Sequence, residues 1–233
     1  MEYLCENSLN SDNSILSQGT ELDDSAITPA VFMDRDGTII QDVGFIDNTD
    51  RIILIPGAIE SIRILNNEGF AVVIVTNQSG VARGYFDEET VIAINQKVDK
   101  IFRENGARID AFYYCPHYPN VDEAQITPKI NTNNSLEKYW IECECRKPKI
   151  GMVEKAVNEL SVIPKLMIGD RESDILLAKN MGVPGILVLT GEGNNQSELV
   201  RAEADFVATD IKHAVQWFLQ SMNSADKKFP IPK

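Results

Sequence analysis

From Pro29 onward the chain alternates short, almost wholly apolar runs with stretches whose apolar residues recur at helical spacing. No other feature restricts its fold as strongly. Ala30–Met33, Phe70–Val75, Ala111–Tyr114, Leu166–Ile168 and Gly185–Leu189 predict strands, the first two buried on both faces. Ala58–Asn67 reads as a helix opened by Pro56-Gly57 and closed by Gly69. Further helices are predicted from about Asp87 to Glu104, ending near Gly106, and over Met152–Leu160 and Ser173–Asn180. Phe206–Val207 predicts a short edge strand and Ile211–Met222 the closing helix. Strands alternating with helices imply βαβ units, and so a doubly wound parallel sheet of the α/β class with helices on both faces. One domain over roughly residues 29–224 accounts for the pattern, and no internal repeat is seen. Residues 115–149, rich in Asn, Pro and Cys, break the rhythm.

The flanks differ from this core. Residues 1–28 are polar and without period, and hold six acids and no Lys or Arg; they predict a flexible acidic leader, and residues 225–233 a C-terminal tail. The formal net charge of the 233 residues is −13, so −7 falls outside the leader. That balance lacks the basic footprint of sequence-independent nucleic-acid binding and disfavours anionic membrane surfaces. No apolar run approaches a membrane span, and MEYLCENSLN lacks the basic flank and apolar stretch of a secretory signal. The expectation is a cytoplasmic monomer that binds neither nucleic acid nor membrane. An anionic ligand would have to be met by a metal ion and a few placed cations.

In an open parallel sheet, ligands bind beyond the carboxyl ends of the strands. The first predicted strand runs into Asp34-Arg35-Asp36-Gly37-Thr38, the second into Thr76-Asn77-Gln78-Ser79-Gly80, and the fourth into Gly169-Asp170-Arg171-Glu172-Ser173-Asp174; Arg146-Lys147-Pro148-Lys149 lies just before a helix. Folding would bring all four to one edge. Asp34 and Asp36 leave a strand facing the same way. Two carboxylates sharing a site suit metal binding, or a nucleophile beside an acid/base group. A bare D-x-D also describes two solvated acids in a loop; the apolar strand before it, the Gly-Thr after it and Asp170 at another strand end favour the site. Thr76 and Asn77 supply a hydroxyl and an amide, or a turn. Arg146 and Lys147 are solvated surface charges or phosphate-holding cations. Asp170 suits a metal, and Asp174 a helix cap.

Four cysteines and two histidines are present. Cys115-Pro116-His117 and Cys143-Glu144-Cys145 form two arms whose three thiolates and one imidazole complete a closed tetrahedral zinc set, the pattern of a structural site. Buried free thiols or a disulfide compete with that reading. Cys5 and His213 are assigned no role.

Taken together, Asp34-x-Asp36-Gly37-Thr38, Thr76, Lys147 and Gly169-Asp170…Asp174 resemble the motifs of the haloacid dehalogenase (HAD) superfamily of phosphohydrolases, in its order, over nearly all of residues 29–220. The Cys-x-His…Cys-x-Cys-Arg-Lys-Pro arrangement resembles its zinc-containing subgroup, which includes phosphatases of heptose 1,7-bisphosphate and of histidinol phosphate. Thr76-Asn77-Gln78-Ser79-Gly80-Val81-Ala82-Arg83-Gly84 and Asp42-Val43-Gly44-Phe45 resemble the heptose group, and Thr190-Gly191 fits it too. The loop between the zinc arms is longer than that group's, with the extra residues around Asp122–Tyr139, and Arg171 stands where some members carry Lys.

The resemblance implies that Asp34 is the nucleophile and forms an aspartyl-phosphate, and that Asp36 is acid and then base. It implies Mg²⁺ on the Asp34 carboxylate, the Asp36 carbonyl and Asp170, and a structural Zn²⁺ on Cys115, His117, Cys143 and Cys145. Thr76 and Lys147 would hold the phosphoryl oxygens, and Asp42, Gly44, Phe45, Asn77, Gln78, Ser79, Arg146 and Arg171 the rest of a small sugar phosphate. About forty residues between Asp34 and Thr76 leave no room for a cap domain. The leading expectation is removal of the 7-phosphate of D-glycero-D-manno-heptose 1,7-bisphosphate. Histidinol-phosphate hydrolysis is the second, and a catalytically silent zinc-stabilised binding module the third.

Overall fold

The computed structural model describes residues 27–119 and 136–223. The leader up to residue 26, most of the extra residues of the zinc loop and the tail lie outside them. Six strands, β1 (Thr28–Met33), β2 (Ala71–Asn77), β3 (Ala111–Cys115), β4 (Val162–Gly169), β5 (Gly185–Val188) and β6 (Phe206–Ala208), form one sheet in the order β3-β2-β1-β4-β5-β6. Every pairing is parallel. The chain winds outward from β1 to β3, then crosses back to place β4 on the other side of β1. The switch point, where the two windings diverge, therefore lies between the carboxyl ends of β1 and β4.

Six α-helices cover the sheet: α1 (Ala58–Asn67), α2 (Glu88–Glu104), α3 (Gly151–Leu160), α4 (Glu172–Met181), α5 (Glu198–Glu203) and α6 (Ile211–Asn223). Period-two alternation in the strands decides which side chains each helix meets. Val31, Met33, Val72, Ile74, Leu166 and Ile168 pack with Ile62 and Leu65 of α1, Ile94, Val98 and Phe102 of α2, and Ala214, Val215 and Phe218 of α6. Ala30, Phe32, Val73, Val75 and Met167 face the opposite way, toward Met152 and Ala156 of α3, Leu177 and Ala178 of α4, and the three cysteines Cys115, Cys143 and Cys145. Between β1 and β2 there is only a loop, one 3-10 turn (Thr49–Arg51) and α1. The expected capless, doubly wound sheet is the one observed, and no described helix is long and apolar enough to cross a membrane.

Two departures from the sequence-based expectation have physical reasons. β4 starts at Val162, not Leu166. Pro164 and Lys165 resemble a break, but β5 joins β4 only from Met167, so the missing Pro164 N–H faces no partner strand there. A register shift between Ala30 and Val31 absorbs Lys165 as an extra residue. The six-residue α5 escaped the pattern search because it buries only Val200.

Phe32 sits at the centre of this arrangement and is fully buried. Phe32→Ala should cost about 3–5 kcal/mol of unfolding free energy, read by urea denaturation.

Candidate active site

Each chemical residue follows from where a strand stops. β1 ends at Met33, and the Asp34 N–H still donates to the Ile168 carbonyl (2.9 Å), so the first carboxylate is pinned beside β4. Arg35 then turns the chain: its carbonyl accepts from the N–H groups of Thr38, Ile39 and Ile40. Gly37 adopts a φ of 84° at the closest approach to β4, where any Cβ would strike the Asp170 carboxylate.

Lys147 Nζ lies 2.7 Å from Asp34 Oδ1 and 2.7 Å from Asp174 Oδ1, with all three side chains almost wholly buried. Asp174 also accepts the Arg171 N–H (3.0 Å) as part of the α4 cap. Asp170 Oδ2 accepts the Glu192 N–H (2.7 Å), whereas its Oδ1 is buried without a hydrogen-bond partner. Carboxylate oxygens of Asp34, Asp170 and Asp174 lie within 4.8 Å of one another. A hard divalent cation fits this set: oxygen ligands, converging negative charge and one buried oxygen with nothing else to bind.

The electrostatics follow. Burial, opposed by Lys147 and reinforced by Asp174 and Asp36, pushes Asp34 up to about 6. Burial and the charges of Asp34 and Asp174 push Asp170 up to about 8. Lys147 is raised: its burial favours the neutral amine, but Asp174 and Asp34 outweigh it.

Asp36 faces the cavity, its carboxylate bonded by Arg35 (Nη2 to Oδ2, 2.9 Å) and by Gln78 Nε2 (2.8 Å). Gln78 also donates to Thr76 Oγ1 (2.9 Å). Asn77 turns both ends of its amide to the main chain of Lys147, at 3.0 and 3.2 Å, and so fixes that lysine.

Cys115, His117, Cys143 and Cys145 converge with Sγ and Nδ1 separations between 3.3 and 3.7 Å. Tetrahedral zinc with bonds of about 2.0–2.3 Å would need ligand–ligand edges of roughly 3.3–3.8 Å. None of these sulfurs is in a disulfide. Hydrogen bonds with the Cys143 and Cys145 thiols and with His117, working against burial, hold the Cys115 thiol far below the usual range. The four side chains suit a closed structural metal site.

A cavity of about 560 Å³ opens over this floor. It is lined by Asp34, Asp36, Asp42, Gly44, Phe45, Thr76, Asn77, Gln78, Ser79, Arg146, Lys147 and Arg171; Asp170 lies buried beneath. Arg171 Nη2 bonds Asp42 Oδ2 across the mouth (2.8 Å). The lining also includes Arg83, Tyr118 and Glu192, to which the sequence analysis gave no role. Arg83 and Arg146 both stand over the Tyr118 ring, at 4.3 and 5.0 Å from its centroid. The position of Tyr118 directly after His117 of the Cys/His cluster was the one available signal.

This geometry has known counterparts. A family model described as HAD-hydrolase-like matches residues 144–214. A Yersinia pestis protein named D-glycero-beta-D-manno-heptose-1,7-bisphosphate 7-phosphatase is 39% identical over 168 residues, covering 70% of this chain and 82% of its own. The chain belongs to the HAD-like hydrolases. An Escherichia coli protein of the same name is 33% identical over 83% of this hydrolase and 90% of its own length. The crystal structure of D,D-heptose 1,7-bisphosphate phosphatase from B. bronchiseptica, complexed with magnesium and phosphate, superposes with a TM-score of 0.66 at 30% identity. It covers 83% of this chain and 99% of that one.

The raised carboxyls have a consequence for stability. Asp34 and Asp170 keep protons in the folded hydrolase at pH values where the unfolded chain has lost them. Metal-free stability from these groups is therefore greatest near pH 4 and declines as pH rises through about 6 and then about 8. Urea midpoints of metal-free protein should fall over that window, and Asp170→Asn should flatten the slope.

Proposed function

We propose that this hydrolase removes the 7-phosphate of D-glycero-D-manno-heptose 1,7-bisphosphate through an aspartyl-phosphate. The observation that carries the reading is Asp34, buried at the cavity floor with Lys147 at 2.7 Å and the unpartnered Asp170 oxygen beside it. The names of the relatives and of the B. bronchiseptica structure support the substrate.

In this reading an Asp34 carboxylate oxygen attacks phosphorus as the bond to the sugar oxygen breaks, and Asp36 protonates that oxygen. Asp36 then takes a proton from the water that hydrolyses the acyl phosphate. Lys147 and Thr76 hold the phosphoryl oxygens, and Asn77 and Gln78 fix Lys147, Thr76 and Asp36. Mg²⁺, held by Asp34, the Asp36 carbonyl and Asp170, supplies when bound the charge that neutralises those oxygens. Asp42, Gly44, Phe45, Ser79, Arg146 and Arg171 meet the sugar and its second phosphate. Because the chemistry depends mainly on position and charge, a local cluster of cations suffices in an acidic protein. Zn²⁺ on Cys115, His117, Cys143 and Cys145 fastens the arm that carries Arg146 and Lys147. Ligand thiols kept reduced suit a cytoplasmic protein. One chain supplies the whole site, in keeping with a monomer.

Phosphate release should be measured with Mg²⁺ on both anomers of heptose 1,7-bisphosphate, histidinol phosphate, fructose 1,6-bisphosphate and a nitrophenyl ester. A kcat/KM advantage of about a hundredfold (~2.7 kcal/mol) for one heptose anomer is expected. Preference for histidinol phosphate would replace the substrate and keep the mechanism; no turnover of any ester would leave a binding module. Asp34→Asn should lower kcat by about a thousandfold or more, and a rate near wild type would remove Asp34 as nucleophile. Elemental analysis should find about one zinc per chain, and Cys143→Ser should reduce both zinc content and melting temperature.

A further inference from the structure

We propose that Asn95 is a positioning residue for Asp36, acting through the Arg35 guanidinium. The inference rests on the reading of Asp36 as acid and base.

α2 buries a stripe of Val91, Ile94, Asn95, Val98 and Phe102, in which Asn95 is the single polar member and is fully buried. An amide in such a place is costly unless it is bonded, and an apolar side chain would pack there without that cost. Asn95 Oδ1 accepts from Arg35 Nη1 at 2.7 Å, while its Nδ2 is buried without a partner. Half of the amide is thus left unsatisfied while the other half holds one guanidinium nitrogen.

That nitrogen decides where the rest of the group points. Arg35 is only 1% exposed, and its side chain lies at the cavity wall against the Asp36 carboxylate. Its planar fork cannot turn about one nitrogen without moving the others. With Nη1 fixed on α2, Nε and Nη2 face Asp36, at 3.2 Å from Nε to Oδ2 and at 3.2 and 2.9 Å from Nη2 to the two oxygens. Gln78 Nε2 completes the grip on Oδ2. Asn95, sixty residues beyond Arg35 along the chain, ties the aim of this carboxylate to α2 through the guanidinium.

A role in positioning differs from one in folding by its dependence on the leaving group. As the Asp34–phosphorus bond forms, the bond to the leaving oxygen breaks with its electron pair on oxygen. A sugar alkoxide needs the Asp36 proton at that moment, whereas nitrophenolate leaves without one. Single-turnover release of the sugar product from heptose 1,7-bisphosphate, and of nitrophenol from p-nitrophenyl phosphate, should be compared with Mg²⁺ present. Asn95→Leu should slow the sugar reaction at least about tenfold while nitrophenol release stays within about threefold. Asn95→Asp, which keeps an accepting oxygen for Arg35, should restore the sugar reaction to within about threefold of wild type. In an Asp36→Asn background, Asn95→Leu should add nothing. Equal slowing of both esters, no slowing of either, or full additivity with Asp36→Asn would overturn the proposal. Should Asn95→Leu fail to fold, Arg35→Lys, which keeps the charge but loses the fork, must show the same split. If Asp36→Asn itself shows no split, it is the assignment of Asp36 as acid that has failed, and the two failures are told apart by which variant lacks it.

Discussion

Three carboxylates and one ammonium are buried together at the carboxyl ends of β1 and β4, and the negative charge is in excess. Ions taken out of water cost several kcal/mol each unless they are paired and hydrogen-bonded. Most of the local structure answers that demand. Lys147 bridges Asp34 and Asp174, the Arg171 N–H at the start of α4 donates to Asp174, and the Glu192 N–H donates to one oxygen of Asp170. What remains is a single carboxylate oxygen with no protein partner. The site thus keeps one compensation open for a cation, which is the economy expected where charge must be met at the moment a phosphoryl group is transferred.

Lys147 itself has to be delivered from far away in sequence. It follows Cys143 and Cys145, whose sulfurs meet Cys115 at the end of β3 and His117 just beyond. The cysteine cluster and the Asn77 amide are therefore two independent fasteners on one lysine, one acting through its preceding residues and one on its own main chain. The second cation of the pair, Arg146, donates to the His117 carbonyl and lines the cavity, where it shares the Tyr118 ring with Arg83.

Most of the fold was readable because a parallel sheet covered on both faces writes continuous apolar runs into its strands. Reading failed at the start of β4, where Pro164 is acceptable only because no β5 residue pairs there, and at α5, too short to carry a period. In the site, Asp34, Asp36, Thr76, Lys147 and Asp170 stood out because they follow strands or precede a helix. Tyr118, Glu192 and Asn95 did not, since each owes its place to a contact across the fold, and Arg83 was part of a motif without a role. Asn77, a ligand contact in the sequence reading, lines the cavity and also holds the main chain of Lys147, a tie that no spacing shows.

Sequence by itself determined the layers, the strand-end positions of the reactive groups and the chemistry of the carboxylate and Cys/His sets, because periodicity and side-chain chemistry are local properties. The tertiary structure alone decided which charges would neutralise which, because Coulomb and hydrogen-bond energies depend on distances of a few ångströms between residues far apart in the chain. The union of Asp34 with Lys147, of Arg171 with Asp42 and of Asn95 with Arg35 is set by strand order and helix packing. No spacing along the chain records it.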